Sequence, residues 1–449
     1  MRVLLISALV AGAWLSVVVT AQAQARGDRG LFGGGVGGAE QVLSVSSSLG
    51  ATYYESLTDI PLLTTAPLRF PGAVWTGQAS AQLSYALNRP HLQIQGSLGR
   101  SATFFPQPEP KWFAQTTYDL SASTSRSWAL SRRARLSLSQ TLSLRPAYWA
   151  ATSVSDRLLS SLAGGIDPAL ILPPDLTHYG GKTLGSGTEA RLSYGLTSRL
   201  SVDATYGLNR RWDFDRGADA INLFQQFVSV GTTFSVTRHL SVRGGYRFAD
   251  SRNGPAGSPH VRTNNADFGV NYDRGGTIRL SRKTTLSFTG GLAAFADSNG
   301  RQRTSGVGST RLSYQIGRTW AASAGAGRSV DFSSLFQEPV LSDTLSADLG
   351  GLIARRLSFR SVASYSRGTA GFNEGGNQVI LSGASVTLQA AMTRYLALSS
   401  SYGYSRREIG DRIVLPSGLS PRSEDQVFSV YLSAWAPLYQ RTRRSNATR

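Results

Sequence analysis

Arg199-Leu200-Ser201-Val202-Asp203-Ala204-Thr205-Tyr206-Gly207-Leu208-Asn209-Arg210-Arg211 decides the reading of this chain. Leu200, Val202, Ala204, Tyr206 and Leu208 fall on one side of a two-residue period. Arg199, Ser201, Asp203, Thr205, Gly207, Asn209 and Arg211 fall on the other. Successive side chains of a β-strand point to opposite faces, so strict alternation marks a strand with one apolar and one polar face. The same pattern recurs over Ala79 to Leu87, Ala190 to Leu196 and Leu240 to Phe248, where Ser241, Arg243, Gly245 and Arg247 occupy the polar side.

Length separates the possible β architectures. Strands of soluble sandwiches average about 5–6 residues, whereas these segments alternate for about 11–14, enough for a tilted strand to cross a hydrocarbon layer. Sheets that cross lipid must close, because an open edge would leave backbone N–H and C=O groups unpaired in hydrocarbon. A basic residue beside a fresh alternation recurs at Arg199, Arg238, Lys283, Arg318, Arg356 and Arg394, at intervals of 35 to 45 residues. That interval is one hairpin with a tight turn and a longer loop. A first strand over Glu40 to Glu55, eight hairpins turning near Arg89, Trp128, Ser198, Arg238, Gly276, Arg318, Arg355 and Thr393, and a last strand over Glu424 to Ala436 predict 18 strands (range 16–20). The expected fold is a transmembrane antiparallel up-and-down β-barrel with both ends on the tight-turn side.

The termini read separately. Arg2, the apolar run Leu4 to Val19 and the small-x-small sites at Ala21 to Ala25 predict a secretory signal peptide over 1–25. A flexible leader follows over 26–39, the barrel is expected over 40–439 and a basic tail over 440–449. With no cysteine among 449 residues, neither disulfides nor thiolate metal sites are available. The net charge of +19 would ordinarily suggest nucleic acid as a partner, but export argues against it.

Enzymatic signatures are missing. Gly33-Gly34-Gly35-Val36-Gly37-Gly38 matches GxGxxG formally but follows no strand and opens no helix. His91, His178, His239 and His260 lie on separate segments without ligand spacing, and no GxSxG elbow occurs. Neither catalysis nor a cofactor or metal is expected. The Asn446-Ala447-Thr448 sequon falls in the basic tail and carries no meaning here.

What remains is the polar face. Parity points Arg135, Arg191, Arg243, Arg247, Arg311 and Arg360 inward, together with Asp203, Asp267, Asp331 and Asp348; Arg145, Arg211 and Glu189 follow the same parity. Such a lining either attracts ions into an open channel, with arginine favouring anions, or braces a filled barrel as ion-pair ladders. The longest loop, Tyr148 to Ser186, carries Asp156, Arg157, Asp167, Asp175 and Lys182 and is expected either to narrow the lumen or to cap it. The turn arginines Arg89, Arg199, Arg238, Arg318, Arg355, Arg356 and Arg394 would snorkel to anionic headgroups or form a basic vestibule. Trp75, Trp112, Trp149, Trp212 and Trp320 would mark interfacial girdles.

The repeated hairpins with Arg-x-Leu-Ser after the turn, as in Arg238-His239-Leu240-Ser241, resemble the β-barrel porins of Gram-negative bacteria, some of which accompany exopolysaccharide secretion. The resemblance implies an outer-membrane channel for passive diffusion of small polar or anionic solutes. A conduit for exopolysaccharide working with periplasmic export components, and a non-conducting surface barrel, stand as alternatives. Implied partners are outer-membrane lipid, lipopolysaccharide and the barrel assembly machinery. Such barrels typically end on a terminal aromatic that this machinery reads; here Trp435 and Tyr439 are followed by Gln440 to Arg449. Residues 26–39 are too short for the plug domain of a TonB-dependent receptor.

Overall fold

The computed structural model describes residues 32, 39–56, 73–89, 91–105, 113–147, 181–213, 223–237, 240–253, 260–272, 278–279, 281, 283–296, 302–332, 339–370, 378–410 and 422–442. Among them there is no helix long and apolar enough to cross a membrane; all regular structure is strand. In chain order the strands are β1 (Ala39–Ser56), β2 (Ala73–Arg89), β3 (Leu92–Phe105), β4 (Phe113–Ala129), β5 (Ala134–Ala147), β6 (Gly181–Gly195) and β7 (Leu200–Asp213). Then come β8 (Leu223–Ser235), β9 (Leu240–Asn253), β10 (His260–Tyr272), the two-residue β11 (Ile278–Arg279), β12 (Thr284–Ala296) and β13 (Gln302–Ile316). The chain finishes with β14 (Trp320–Phe332), β15 (Pro339–Ala354), β16 (Leu357–Ala370), β17 (Gln378–Ala391), β18 (Leu396–Ile409) and β19 (Arg422–Thr442).

Each strand pairs antiparallel with its sequence neighbour, and β1 pairs with both β2 and β19, so the sheet has no edge. Because β10 and β11 both pair with β12, they act as one interrupted strand, and the barrel has eighteen staves. Asn271 faces Thr289, Ile278 faces Leu286 and Arg279 faces Thr285. The tight turn expected near Gly276 is therefore corrected: the reversal lies between Arg279 and Thr284, and Gly276 itself is outside the described residues.

The tight turns share a chemistry that basic residues mask in the sequence. The Ser131 hydroxyl accepts from the backbone N–H of Arg133 and Ala134, Thr197 from Arg199 and Leu200, and Ser281 from Lys283 and Thr284, all at 3.0–3.1 Å. Thr237 caps Leu240 and Thr393 caps Tyr395 in the same way. These side chains stand in for a backbone acceptor and fold the chain back locally. Of the arginines beside them, Arg133 donates from Nη1 to the Leu196 carbonyl of the next turn (3.3 Å). Between β13 and β14 the reversal uses Gly317 instead, at φ +64°, which glycine adopts without a Cβ clash.

The β1–β19 ladder closes the barrel. It shifts register between Leu43 and Ser44, where Pro437 and Tyr439 are the facing residues and Leu438 is the extra one. A proline lacks the N–H a ladder needs, and a bulge is where a strand tolerates one. Beyond it, Gln440 and Arg441 still face Val42 and Gln41, so the last strand continues to Thr442 rather than ending near Ala436, and the wall includes the first residues expected to be tail. On one face of this seam the Tyr431 hydroxyl bonds Thr52 Oγ1 (2.7 Å) and donates to Gln78 Oε1 (2.8 Å), and Thr52 also meets Ser429 (3.2 Å). Gly50 makes room for the ring: a Cβ there would stand 2.3 Å from Tyr431 Cδ1.

Removing the hydroxyl with Tyr431→Phe leaves Thr52 and Gln78 without that partner and is expected to cost about 1–3 kcal/mol, roughly the worth of two half-buried hydrogen bonds. Denaturant unfolding of the detergent-folded barrel measures it. Thr197→Val, which removes both turn bonds, is expected to lower stability by about 1 kcal/mol, with Thr197→Ser close to wild type; an equal loss in both variants would mean the hydroxyl is not the turn's anchor.

Candidate functional site

Curvature distinguishes the two faces of a closed wall. Side chains on the convex face splay apart and those on the concave face crowd together. Leu49, Leu98, Tyr206, Val228, Phe268, Leu292, Leu345 and Leu432 are exposed on one face. On the other, Ser48, Thr52, Ser80, Gln82, Thr344, Ser366, Ser385 and Ser429 are buried although polar. The apolar face is thus the outer surface, and the small polar residues line the inside.

Inside, most charges of the described residues lie on two arcs. The first spans β4 to β9 and carries Asp119, Arg135, Glu189, Arg191, Asp203, Arg243 and Arg247; the second spans β13 to β16 and carries Arg303, Arg311, Asp348 and Arg360. In the structure Asp203 is held by Arg191, with Nη2 at 3.1 Å and Nε at 3.3 Å, and by the Ser193 hydroxyl at 2.5 Å. Asp348 receives Arg360 Nε at 3.2 Å. Both contacts join adjacent strands on the same face, where cross-strand pairs meet. They are partly exposed, and bonds of that kind fix orientation more than they add stability.

Arg243 and Arg247 are positioned by glycine. Phe227 points inward from β8 and lies over Gly207, where a Cβ would come within 2.1 Å of the ring. The Arg247 guanidinium stacks on that ring, 4.2 Å from its centroid. Arg243 lies along Gly269 of β10, whose Cβ would meet its Nε at 2.8 Å. Gly207 and Gly269 thus form hollows that let bulky groups lie against the wall. Arg311 Nη2 reaches Ser323 Oγ at 3.5 Å, and Arg135 stands exposed beside the tight-turn rim, opposite Ala129. Phe227, Gly207, Gly269, Ser193 and the inward Arg303 and Arg407 were not singled out from sequence. Phe227 breaks the apolar parity of β8, and that break is the signal that would have found it.

The remaining arc, from β17 through β19 and β1 to β3, is almost free of charge. Ser385, Thr387 and Gln389 face inward there, as do Ser399, Ser401, Ser44, Ser46, Gln93 and Gln95; Arg407 and Asp425 lie at its long-connection end. In strand order β9 is half the circuit from β19, so Arg243 and Arg247 face this neutral wall.

Not every expected lining residue is brought into this picture. Asp267 and Asp331 sit on β10 and β14, with side chains outside those described. Asp156, Arg157, Asp167 and Asp175 lie outside the described residues altogether. Lys182 does not belong to the long connection as expected: it lies in β6 opposite Pro146, because the alternation of that strand already starts at Gly181. No group of three or more His, Asp or Glu able to hold a metal occurs among the described residues.

At the rims, Trp75 is exposed at the start of β2 and packs on Tyr53, with centroids 5.1 Å apart. Trp320 starts β14, donates its indole N–H to the Leu352 carbonyl (2.9 Å) and lies over Gly351. Trp212 ends β7, while Trp112 and Trp149 are outside the described residues. Of the turn arginines, Arg89 is paired with Glu40 at 2.8 Å.

No family model matches the chain, and no curated protein matches it in sequence. Solved structures similar to it include Pseudomonas aeruginosa OccK11 (OpdR), at 13% identity over 91% of this chain and 98% of that one, TM-score 0.39. Acinetobacter baumannii OccAB2 is 10% identical over 88% and 98%, TM-score 0.42. The FrpB iron transporter from Neisseria meningitidis is 8% identical over 83% and 63%, TM-score 0.44. Likeness at this level adds nothing to the barrel geometry described above.

Gly207→Ala is expected to drive Phe227 off the wall and to cost about 1–3 kcal/mol as an overpacking change. In a Phe227→Ala background the same substitution is expected to cost less than about 0.5 kcal/mol, because the clash is gone. Unfolding midpoints of the four proteins measure this coupling.

Proposed function

We propose that the protein is an outer-membrane channel for passive diffusion of small hydrophilic solutes, with a preference for anions. The observation that carries this reading is a closed eighteen-strand wall that is apolar outside and polar inside. Most strands have 13–18 residues. At about 3.3 Å per residue and a tilt near 40°, even the shorter ones span roughly 30 Å, more than the approximately 25 Å apolar band of such barrels. Exposed Leu, Val, Phe and Tyr on the outer face suit lipid, and nothing in an aqueous setting would offset leaving them uncovered.

Barrel width supports a conduit. At about 8 strands wall side chains fill the interior; at about 16–18 they leave an aqueous passage. Here the inward side chains are mostly Ser, Thr and Gly, which fill even less. Among the described inward residues, Arg135, Arg191, Arg243, Arg247, Arg303, Arg311, Arg360 and Arg407 outnumber Asp119, Glu189, Asp203, Asp348 and Asp425. Arg191 and Arg360 already hold an acid each, so the surplus is cationic and raises the local anion concentration.

Reconstituted into planar bilayers, the protein is expected to conduct and to show an anion-side reversal potential in a salt gradient. Arg243→Glu with Arg247→Glu should lower the anion-to-cation permeability ratio several-fold. Absence of current from correctly folded protein overturns the channel; current with an unmoved reversal potential removes these two arginines from the selectivity mechanism.

A further inference from the structure

Every tight turn carries a base, and none carries an acid. From the last residue of one strand to the first of the next, the turns span 89–92, 129–134, 195–200, 235–240, 279–284, 316–320, 354–357 and 391–396, and each contains Arg or Lys but no Asp or Glu. The side chains of Arg199, Lys283, Arg318, Arg356 and Arg394 are exposed and make no hydrogen bond or ion pair among the described residues. At the seam, Glu40 is already paired with Arg89. The long-connection end has no such uniformity: Asp250 stands beside Arg262, Asp343 holds Arg328 and Glu408 holds Arg406.

The build of the turns leaves these bases to the water. Leu130, Leu196 and Met392 continue the outward parity of β4, β6 and β17 and are exposed, so the lipid side of the lip is apolar. A hydroxyl residue follows, Ser131, Thr197 or Thr393, and its side chain bonds the backbone that reverses the chain. Only then comes the base: Arg133, Arg199 or Arg394. The side chains of Arg199 and Arg394 therefore have no task in holding the turn. Neighbouring turns are two strands apart, roughly 12 Å along the rim for strands about 4.8 Å apart and tilted near 40°. That is close to the screening length of about 10 Å at about 0.1 M salt, so the fields of successive turns add. Just inside the rim, Arg135 is the second residue of β5 and Arg243 the fourth of β9, which continues the basic lining into the lumen.

We propose that the tight-turn rim is a capture ring for small multivalent anions dissolved on its side of the membrane, held between the bases of neighbouring turns at the mouth of the passage. A guanidinium fork matches carboxylate and phosphate oxygens, and an anion with several charges engages more than one turn at once. The tight turns of such barrels face the periplasm, so that is where the ring would collect its ligand. This location rests on the outer-membrane channel reading, but binding to the ring does not require conduction, and the two fail separately.

The test titrates the folded full-length protein in zwitterionic detergent with inorganic triphosphate and monophosphate. At about 0.1 M salt, triphosphate should bind about tenfold more tightly than monophosphate; at about 1 M, where the screening length falls to about 3 Å, its binding should be lost. The variant Arg199→Gln, Arg318→Gln, Arg356→Gln, Arg394→Gln should bind triphosphate about tenfold more weakly, since an exposed charge pair contributes up to about fivefold. A charge-matched variant at the opposite end, Arg210→Gln, Arg262→Gln, Arg328→Gln, Arg406→Gln, should change binding by less than about twofold. Absence of binding to wild type at the lower salt overturns the ring without any variant having to fold. An equal loss in the two variants overturns the site. Phosphatidylglycerol added to the micelles should leave triphosphate bound; displacement by it assigns the rim to lipid head groups and overturns the proposal. Protein that binds triphosphate in this pattern yet passes no current in planar bilayers overturns the channel and supports the ring.

Discussion

The ladder between β1 and β19 runs from Ala39 opposite Thr442 to Ser56 opposite Asp425 and joins the two ends of the chain into one wall. Every other strand is paired to a neighbour that follows or precedes it in sequence, which a hairpin achieves locally. Only this seam joins residues almost four hundred positions apart, as the Thr52–Tyr431 bond illustrates. Without it, the outer strands would present rows of unpaired backbone N–H and C=O groups, which hydrocarbon cannot satisfy and which in water invite pairing with other chains. The polar cluster of Thr52, Gln78, Ser429 and Tyr431 sits on this seam, so the contact that closes the wall is also a side-chain lock.

Closure gives the two faces opposite tasks. On the concave side crowding favours small residues, and where larger groups occur, a facing glycine receives them, as Gly207 receives Phe227 and Gly50 receives Tyr431. Charges there take the nearest acid across the ladder, which leaves Arg191 with Asp203 and Arg360 with Asp348. On the convex side the large exposed residues are apolar or aromatic, and two outward arginines lie against rings, Arg100 over Tyr118 near mid-strand and Arg126 over Trp128 at the tight-turn end of β4. Aromatic rings hold such guanidiniums flat against the wall.

Much of this was legible in the residues. A two-residue period is local information, so each strand declares its faces without reference to any other, and Leu200 to Leu208 lie outward just as their alternation requires. Hairpin-length spacing counts staves because each repeat contains two strands, one tight turn and one longer connection. The turns were located within a few residues but for the wrong reason: arginine is conspicuous, whereas Thr197 or Ser131 makes the bonds. Near Gly276 the hairpin count misplaced the turn, because Ile278 and Arg279 still pair with Leu286 and Thr285 and the reversal comes after them.

By itself, then, the sequence determined the strand faces, the number of staves and the antiparallel order, because alternation and hairpin length are properties of short segments. Tertiary structure decided which strand meets which at the seam, how far β19 runs, which acid each inward arginine takes, and that the bases of separate tight turns come to one rim. Those outcomes depend on register between strands, and register is set by the pairing of whole ladders rather than by any residue read alone.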